Sequence, residues 1–371
     1  MHPLRDLSLD ALRRRTSIKW TMHPPDVLPM FVAEMDAHPI PAVVEAVERA
    51  VRDGDTGYPF GPVYAEAFAE IAADLWGWTV DVDATSPVAD VMTGVAESLT
   101  LLTEPGDGVV VSPPVYPPFF DVVRHVGRRV VEAPLGPEGR LDLETLDRAF
   151  ADATAYLLCS PINPTSVVHT RAELEALADL ARRHDVRVVV DEIHAPLADG
   201  FVPYLTVDDS ALVVVSASKA FNLAGFKAGL VAGGAAAPEL KGIDELVSHG
   251  TSHLGVIAHV AAMRHGRDWL AGVRADLADN RRLLADLLAS RLPGARWVRG
   301  DDGTYLAWLD LRGLDLGDDP AGRLLELGRV SLVPGVDFGE PGRGFARLNI
   351  GTTPELIGEA VDRMARTTEV A

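Results

Sequence analysis

The chain has 371 residues, 47% hydrophobic and 24% charged, which is ordinary globular composition and enough for two domains or one domain with a large appendage. Its formal net charge of −20 argues against nucleic acid and anionic membrane surfaces as partners, and no run of about 18 uncharged apolar residues offers a membrane span. The single cysteine, Cys159, excludes an intrachain disulfide and fits a reducing, cytoplasmic setting, and the N-terminal "MHPLRDLSLDALRRR" lacks the apolar core of a signal peptide.

The first roughly 45 residues are rich in proline and poor in strand signal. "ADVMT" (89–93) reads as strand-like, with Gly94 between it and a helix. Five apolar runs follow: "DGVVVSPP" (107–114), "ATAYLLCSP" (153–161), "DVRVVVDE" (185–192), "ALVVVSAS" (211–218) and "AGLVAGG" (228–234). They lack polar alternation, which predicts strands covered on both faces, as in parallel sheets. Between two of them, "TRAELEALADLARRHD" (170–185) is an amphipathic helix that opens with a capping box, Thr170 and Glu173. The pattern is α/β. Near residue 266 it changes. A long helix (267–292), a strand-like segment (304–313), a helix (319–329), a strand-like segment (345–352) and a last helix (354–367) read as a smaller α+β domain. The expected division is a large domain over 46–275 and a small domain made of 1–45 and 276–371.

Open α/β sheets bind ligands beyond the carboxyl ends of their strands. Here those ends carry Pro113–Tyr116, Ser160–Asn163, Asp191–His194 and Ser216–Lys219. Of 34 basic residues only four are lysines, Lys19, Lys219, Lys227 and Lys241, and two of them lie in "SASKAFNLAGFK". A lysine just past a buried strand can expose a neutral amine and form an imine, which arginine cannot. Asp191, at the end of "VRVVV", needs a cationic partner or several donors, and a protonated pyridine nitrogen is one such partner. The backbone N–H groups of Val95 and Ala96, placed after Gly94 at a helix start, suit a phosphate. The hydroxyls of Ser216 and Ser218 and the charge of Lys227 can serve the same phosphate. Tyr116, in the proline-braced "SPPVYPPF", can stack on a flat ring. Asn163, in "SPINPT", can bond a phenolic oxygen, and Arg347, in "FARLNIG", can clamp a carboxylate through two N–H groups.

These residues, in this order, resemble the fold-type I pyridoxal 5′-phosphate enzymes of the class I/II aminotransferase superfamily over nearly the full length. Within it, "MFVAEMDAHPIP" (30–41), "TGYPFGP" (56–62), "DEIHAPL" (191–197), "TYLAWLDLR" (304–312) and "GRGFARLN" (342–349) are most similar to MalY/PatB-type carbon–sulfur lyases. His194 stands where ordinary aminotransferases of the superfamily usually have tyrosine. The resemblance implies a large domain with a mostly parallel seven-stranded sheet between helices. It makes Lys219 the covalent anchor of pyridoxal phosphate and the catalytic base. Asp191 would pair with the pyridine nitrogen, and Tyr116 would stack on the ring. Asn163 and His194 would lie near the phenolic oxygen. Val95, Ala96, Ser216, Ser218 and Lys227 would surround the phosphate, with Gly94 opening that turn. Arg347, with Asn163, would bind the substrate carboxylate. Tyr58 resembles a tyrosine that reaches the neighbouring subunit's phosphate, which implies a homodimer. No metal is implied. Two positions depart from the family: Ser166 in "NPTS", where glycine is frequent, and Lys227, where much of the superfamily has arginine. The activity implied is α,β-elimination on cystathionine, cysteine or an S-substituted L-cysteine, giving thiol, pyruvate and ammonia. An aminotransferase, or a regulatory protein of the same fold with secondary lyase activity, are the alternatives.

Overall fold

The apolar runs pair into a seven-stranded sheet in a computed structural model of the chain, which describes residues 1–369. The strands are β1 (Thr85–Val88), β2 (Gly108–Val111), β3 (Arg129–Glu132), β4 (Ala155–Cys159), β5 (Arg187–Asp191), β6 (Leu212–Val215) and β7 (Gly229–Gly233). Their spatial order is β1-β7-β6-β5-β4-β2-β3. The pairs from β3 through β6 are parallel, and β7 runs antiparallel to both of its neighbours. Every residue of β2, β4, β6 and β7 is buried, which is why these runs show no polar alternation. Helix Val91–Leu102 packs on β5, β6 and β7, and helix Arg171–Arg183 packs on β5. The second of these has both halves of its capping box in place.

Two strands, β1 and β3, were not apparent in the sequence. Both lie at the sheet's edges, and β3 has exposed ends, Arg129 and Glu132, so each lacks the continuous apolar run that marks a central strand. The strand-like reading of "ADVMT" is corrected. The strand ends at Val88, and a helix begins at Val91 because Asp90 caps it, its Oδ1 accepting from the Thr93 N–H and hydroxyl, both at 2.9 Å.

The chain divides into two compact units. One holds Pro39–Pro161 and Val168–Arg267, and so the whole seven-stranded sheet. The other holds Met1–His38, Ile162–Val167 and the residues from Asp268 onward. Its antiparallel four-stranded sheet runs in the order Val333–Pro334, Phe345–Asn349, Leu306–Asp310, Arg296–Val298. The N-terminal segment is tied into this unit by a short parallel pairing of Leu28–Pro29 with Val330–Ser331. A buried ion pair also holds it, Lys19 Nζ to Asp36 Oδ2 at 2.7 Å. Between them, the carbonyls of Phe31, Ala33 and Val32 accept from Arg347, Tyr305 and Asn349. Among the described residues, no helix is long and apolar enough to cross a membrane.

Candidate active site

Parallel pairing sets Cys159 beside Asp191 and Asp191 beside Val214, so the carboxyl ends of β4, β5 and β6 finish together. The chemistry expected of the sequence collects at this edge. Asp191 is 4% exposed, and its Oδ1 accepts one hydrogen bond, from the Ile193 N–H at 3.0 Å. Burial raises its carboxyl to about 6, while the Ile193 N–H and the charge of Lys219 pull the other way. Lys219 therefore acts electrostatically on Asp191. It lies four residues past β6, in the turn that follows, and is half-buried.

The same turn places Ser216 and Ser218. The Ser216 hydroxyl donates to the Ala228 carbonyl at 2.7 Å and accepts from the Ser218 N–H at 3.2 Å. Gly94 sits inside the first turns of its helix, not ahead of it. A Cβ there would come within 2.6 Å of Val214 Cγ1, so the glycine lets the helix press against β6. An α-helix leaves only its first few N–H groups without internal partners. Val95 and Ala96 lie beyond that point, which corrects their expected role as free donors; Val91 and Met92 hold those places. Lys227 reaches this helix start through Asp90, donating to Oδ2 at 2.7 Å. Asp90 was missed in the sequence, where it looks like any of 54 acidic residues; its only signal was Thr93, three positions on, as expected of an N-cap.

Tyr116 packs on the core of this unit and meets Phe119 edge-on, with ring centroids 5.9 Å apart. His194 is buried and stands at the N-cap position of the short 3-10 turn Ala195–Leu197. Tyr58 is 84% exposed, its ring beside that of His249.

In the other unit, Asn163 and Arg347 are brought together. Arg347 is 5% exposed on strand Phe345–Asn349. Its Nη1 donates to Asn163 Oδ1 at 2.9 Å and its Nη2 to the Phe31 carbonyl at 2.8 Å. Its guanidinium also lies over the Phe338 ring, 5.2 Å from the centroid. Ser166, on the same short segment as Asn163, has φ +62°, the left-handed conformation that favours glycine. Its hydroxyl donates to the Leu306 carbonyl at 2.8 Å and pairs with Thr304.

The large unit thus presents a buried carboxylate with one backbone donor and a lysine acting on it. A protonated ring nitrogen held by Asp191 would supply the cation that its burial calls for. Ser218, the Lys227 ammonium and the start of a helix lie around the same strand ends and suit a phosphate, whereas the Ser216 hydroxyl already donates to the Ala228 carbonyl. The residues fit a phosphorylated pyridine aldehyde.

Comparison with known proteins agrees. The family model for aminotransferase class I and II matches residues 25–364. A Mycobacterium leprae protein named, provisionally, a cystathionine beta-lyase is 49% identical over 98% of both chains. Cystathionine beta-lyase of Corynebacterium glutamicum is 33% identical over 98% of this chain and 99% of its own. Among solved structures, a Corynebacterium diphtheriae protein named, again provisionally, a PLP-dependent beta-cystathionase superposes with a TM-score of 0.93 at 34% identity, covering 99% of each chain.

Proposed function

The chain belongs to the class I and II aminotransferase family, and from that premise we propose that it is a pyridoxal phosphate-dependent carbon–sulfur lyase acting on an L-amino-acid thioether such as cystathionine. What carries the lyase reading is that relatives 33% to 49% identical over nearly their whole length are named for that reaction. Bound pyridoxal phosphate supplies a protonated ring that draws electron density from the substrate Cα. Asp191 keeps the ring nitrogen protonated, and Tyr116 covers the ring. Lys219 would anchor the aldehyde, and its amine, when free, would take the proton from the substrate Cα as general base. Ser218, Lys227 and the start of helix Val91–Leu102 would hold the phosphate, with Ser216 fixing the turn beside it through Ala228 and Ser218, and His194 and Asn163 would serve the ring's phenolic oxygen. Arg347 binds the substrate carboxylate. The Cβ–S bond breaks with its electron pair on sulfur, and hydrolysis of the remaining fragment gives pyruvate and ammonia.

The reading extends to a homodimer in which Tyr58 serves the neighbouring site. In support, Tyr58, Phe60 and Leu246 are 84%, 99% and 79% exposed. Phe60 lines a cleft of about 600 Å³ whose walls include Ala42, Ala46, Val256 and Val260. A large exposed apolar ring lining a partly apolar cleft suits an association surface. The lone, buried Cys159 supports a cytoplasmic location.

The test is product analysis. L-Cystathionine given to the purified protein should yield thiol, pyruvate and ammonia in equal amounts with no 2-oxo acid added. The lyase reading fails if thiol release is negligible across several thioethers while amino groups pass to an added 2-oxo acid.

A further inference from the structure

Next to Asp191 stands a second buried carboxyl, Glu192, which is 1% exposed. Its Oε1 accepts from the Tyr204 N–H at 2.8 Å, and its Oε2 has no hydrogen-bond partner among the described residues. The indole nitrogen of Trp76, at the end of helix Val63–Trp76, is likewise buried without one. Both residues line one small cavity of about 10 Å³, walled also by Phe68, Met263 and Ser216. That is about the space a single water molecule requires.

We propose that Glu192 is a neutral carboxylic acid joined to Trp76 by one internal water, and that it positions the strand end carrying Asp191 without adding a second negative charge there. The first argument is solvation. An ionised Glu192 would be a buried carboxylate with a single N–H donor and no basic side chain paired to it among the described residues. Buried charges of that kind give up their charge. The second is donor counting. Protonated on Oε2, Glu192 offers an O–H; Trp76 offers only an N–H. The acid oxygen keeps acceptor capacity too, but neither it nor the indole nitrogen has a partner among the described residues, and the cavity both residues line is the size of one water, whose oxygen can accept from both.

Titration supports the same arrangement. Burial raises Glu192 to about 8; the Tyr204 N–H opposes the rise, and the charge of Asp191 adds to it. The lining from helix Val63–Trp76, from the β6 end and from Met263 is uncharged, so Asp191 is the titratable group that acts on Glu192. Asp191 itself, raised only to about 6, has Lys219 pulling it down. Between the two values one carboxyl is an anion and its neighbour is an acid. The anion is then free to hold a ring nitrogen. That last step rests on the proposed cofactor role of Asp191; the protonation state of Glu192 does not.

The test begins with cofactor-free protein. An infrared difference between wild type and Glu192→Gln near pH 6.5 should show the carbonyl stretch of a protonated carboxylic acid, fading as pH rises past about 8. Absence of that band overturns the proposal. The stability sign is also fixed. The folded-state value of about 8 lies above the ordinary 4.5, so the folded protein holds an extra proton between them. Stability from this group is fully present below about 4.5 and is lost as pH rises through about 8. The melting temperature of wild type should therefore decline relative to Glu192→Gln across that window, and parallel curves would contradict the assignment. Because an amide is also neutral, Glu192→Gln should keep pyridoxal phosphate affinity within about threefold at pH 6.5, whereas a tenfold loss would mean that a charge had been removed. A crystal structure should show one water bonded to both Glu192 Oε2 and Trp76 Nε1; a dry cavity overturns the bridge. If the infrared band appears but no thiol is released from any thioether, the lyase reading fails and the acid stands; thiol release without the band gives the reverse.

Discussion

Arg347 is aimed before any substrate arrives. Asn163 and the Phe31 carbonyl each take a hydrogen bond from a different Nη, and Phe338 lies beneath the plane. A guanidinium held in this way presents a planar fork, and the same charge on a lysine would not. Arg347→Ala should therefore raise KM for the amino-acid substrate by the equivalent of about 2–5 kcal/mol while pyridoxal phosphate affinity changes far less. Steady-state kinetics beside a cofactor titration would check this; an unchanged KM would mean the carboxylate is held elsewhere. At this scale the sequence was informative where the chemistry tolerates one residue type. An imine would need a lysine, a ring nitrogen an acid and a carboxylate fork an arginine, and Lys219, Asp191 and Arg347 are the residues proposed for those roles. It was uninformative where the partner is generic. Asp90 beside Lys227, and the single donor left to Glu192, depend on distances that only the folded chain sets.

Ser166 shows how an element can keep a turn while exchanging the residue that usually makes it. At φ +62° the seryl backbone bears the strain that glycine avoids, on the order of 1 kcal/mol. Its hydroxyl offsets that strain by reaching the Leu306 carbonyl and Thr304, while its own carbonyl accepts from Asp301 and Gly303. Ser166→Gly should relieve the strain but strand buried polar groups, lowering stability by roughly 1 kcal/mol. Ser166→Ala keeps the strain and loses the same bonds, so it should melt lowest of the three. If Ser166→Gly melts highest, the hydroxyl contributes nothing. The elements legible from sequence were those whose burial is one-sided or total: the central strands with their unbroken apolar runs, and helix Arg171–Arg183 with its capping box. Edge strands β1 and β3 were not, because half-exposed short strands carry mixed composition. The start of helix Val91–Leu102 was misplaced because Val91, Met92 and Thr93 suit a strand as well, and one side chain, Asp90, decides the matter.

For the whole molecule, a change of pattern near residue 266 was legible in the sequence, while the expected bounds, 46–275 against 1–45 and 276–371, differ from those of the compact units, the larger of which holds Pro39–Pro161 and Val168–Arg267. The assignment of Ile162–Val167 to the smaller unit was not legible, since six residues carry no periodicity of their own. If Tyr58 serves the neighbouring site, hybrids of Tyr58→Phe and Lys219→Ala chains should regain part of the activity, because one of the two sites then carries neither change. Light scattering should report a dimer, more readily with added salt, which screens the net charge of −20 on each copy. A fully active monomer, or no recovery in verified hybrids, would sink the idea. The ion pair of Lys19 with Asp36 has a bearing on the same molecule as a carrier of an aldehyde. With Lys19 shut inside its unit, the side-chain amines within a reagent's reach are Lys219, Lys227 and Lys241, and Lys227 is occupied by Asp90. Of the 34 basic residues 30 are arginines, and a guanidinium does not form an imine with a simple aldehyde. The scarcity of ammonium groups leaves a stray carbonyl few side-chain amines to meet: the exposed Lys241, the Lys227 paired with Asp90, and the half-buried Lys219 just past the end of β6.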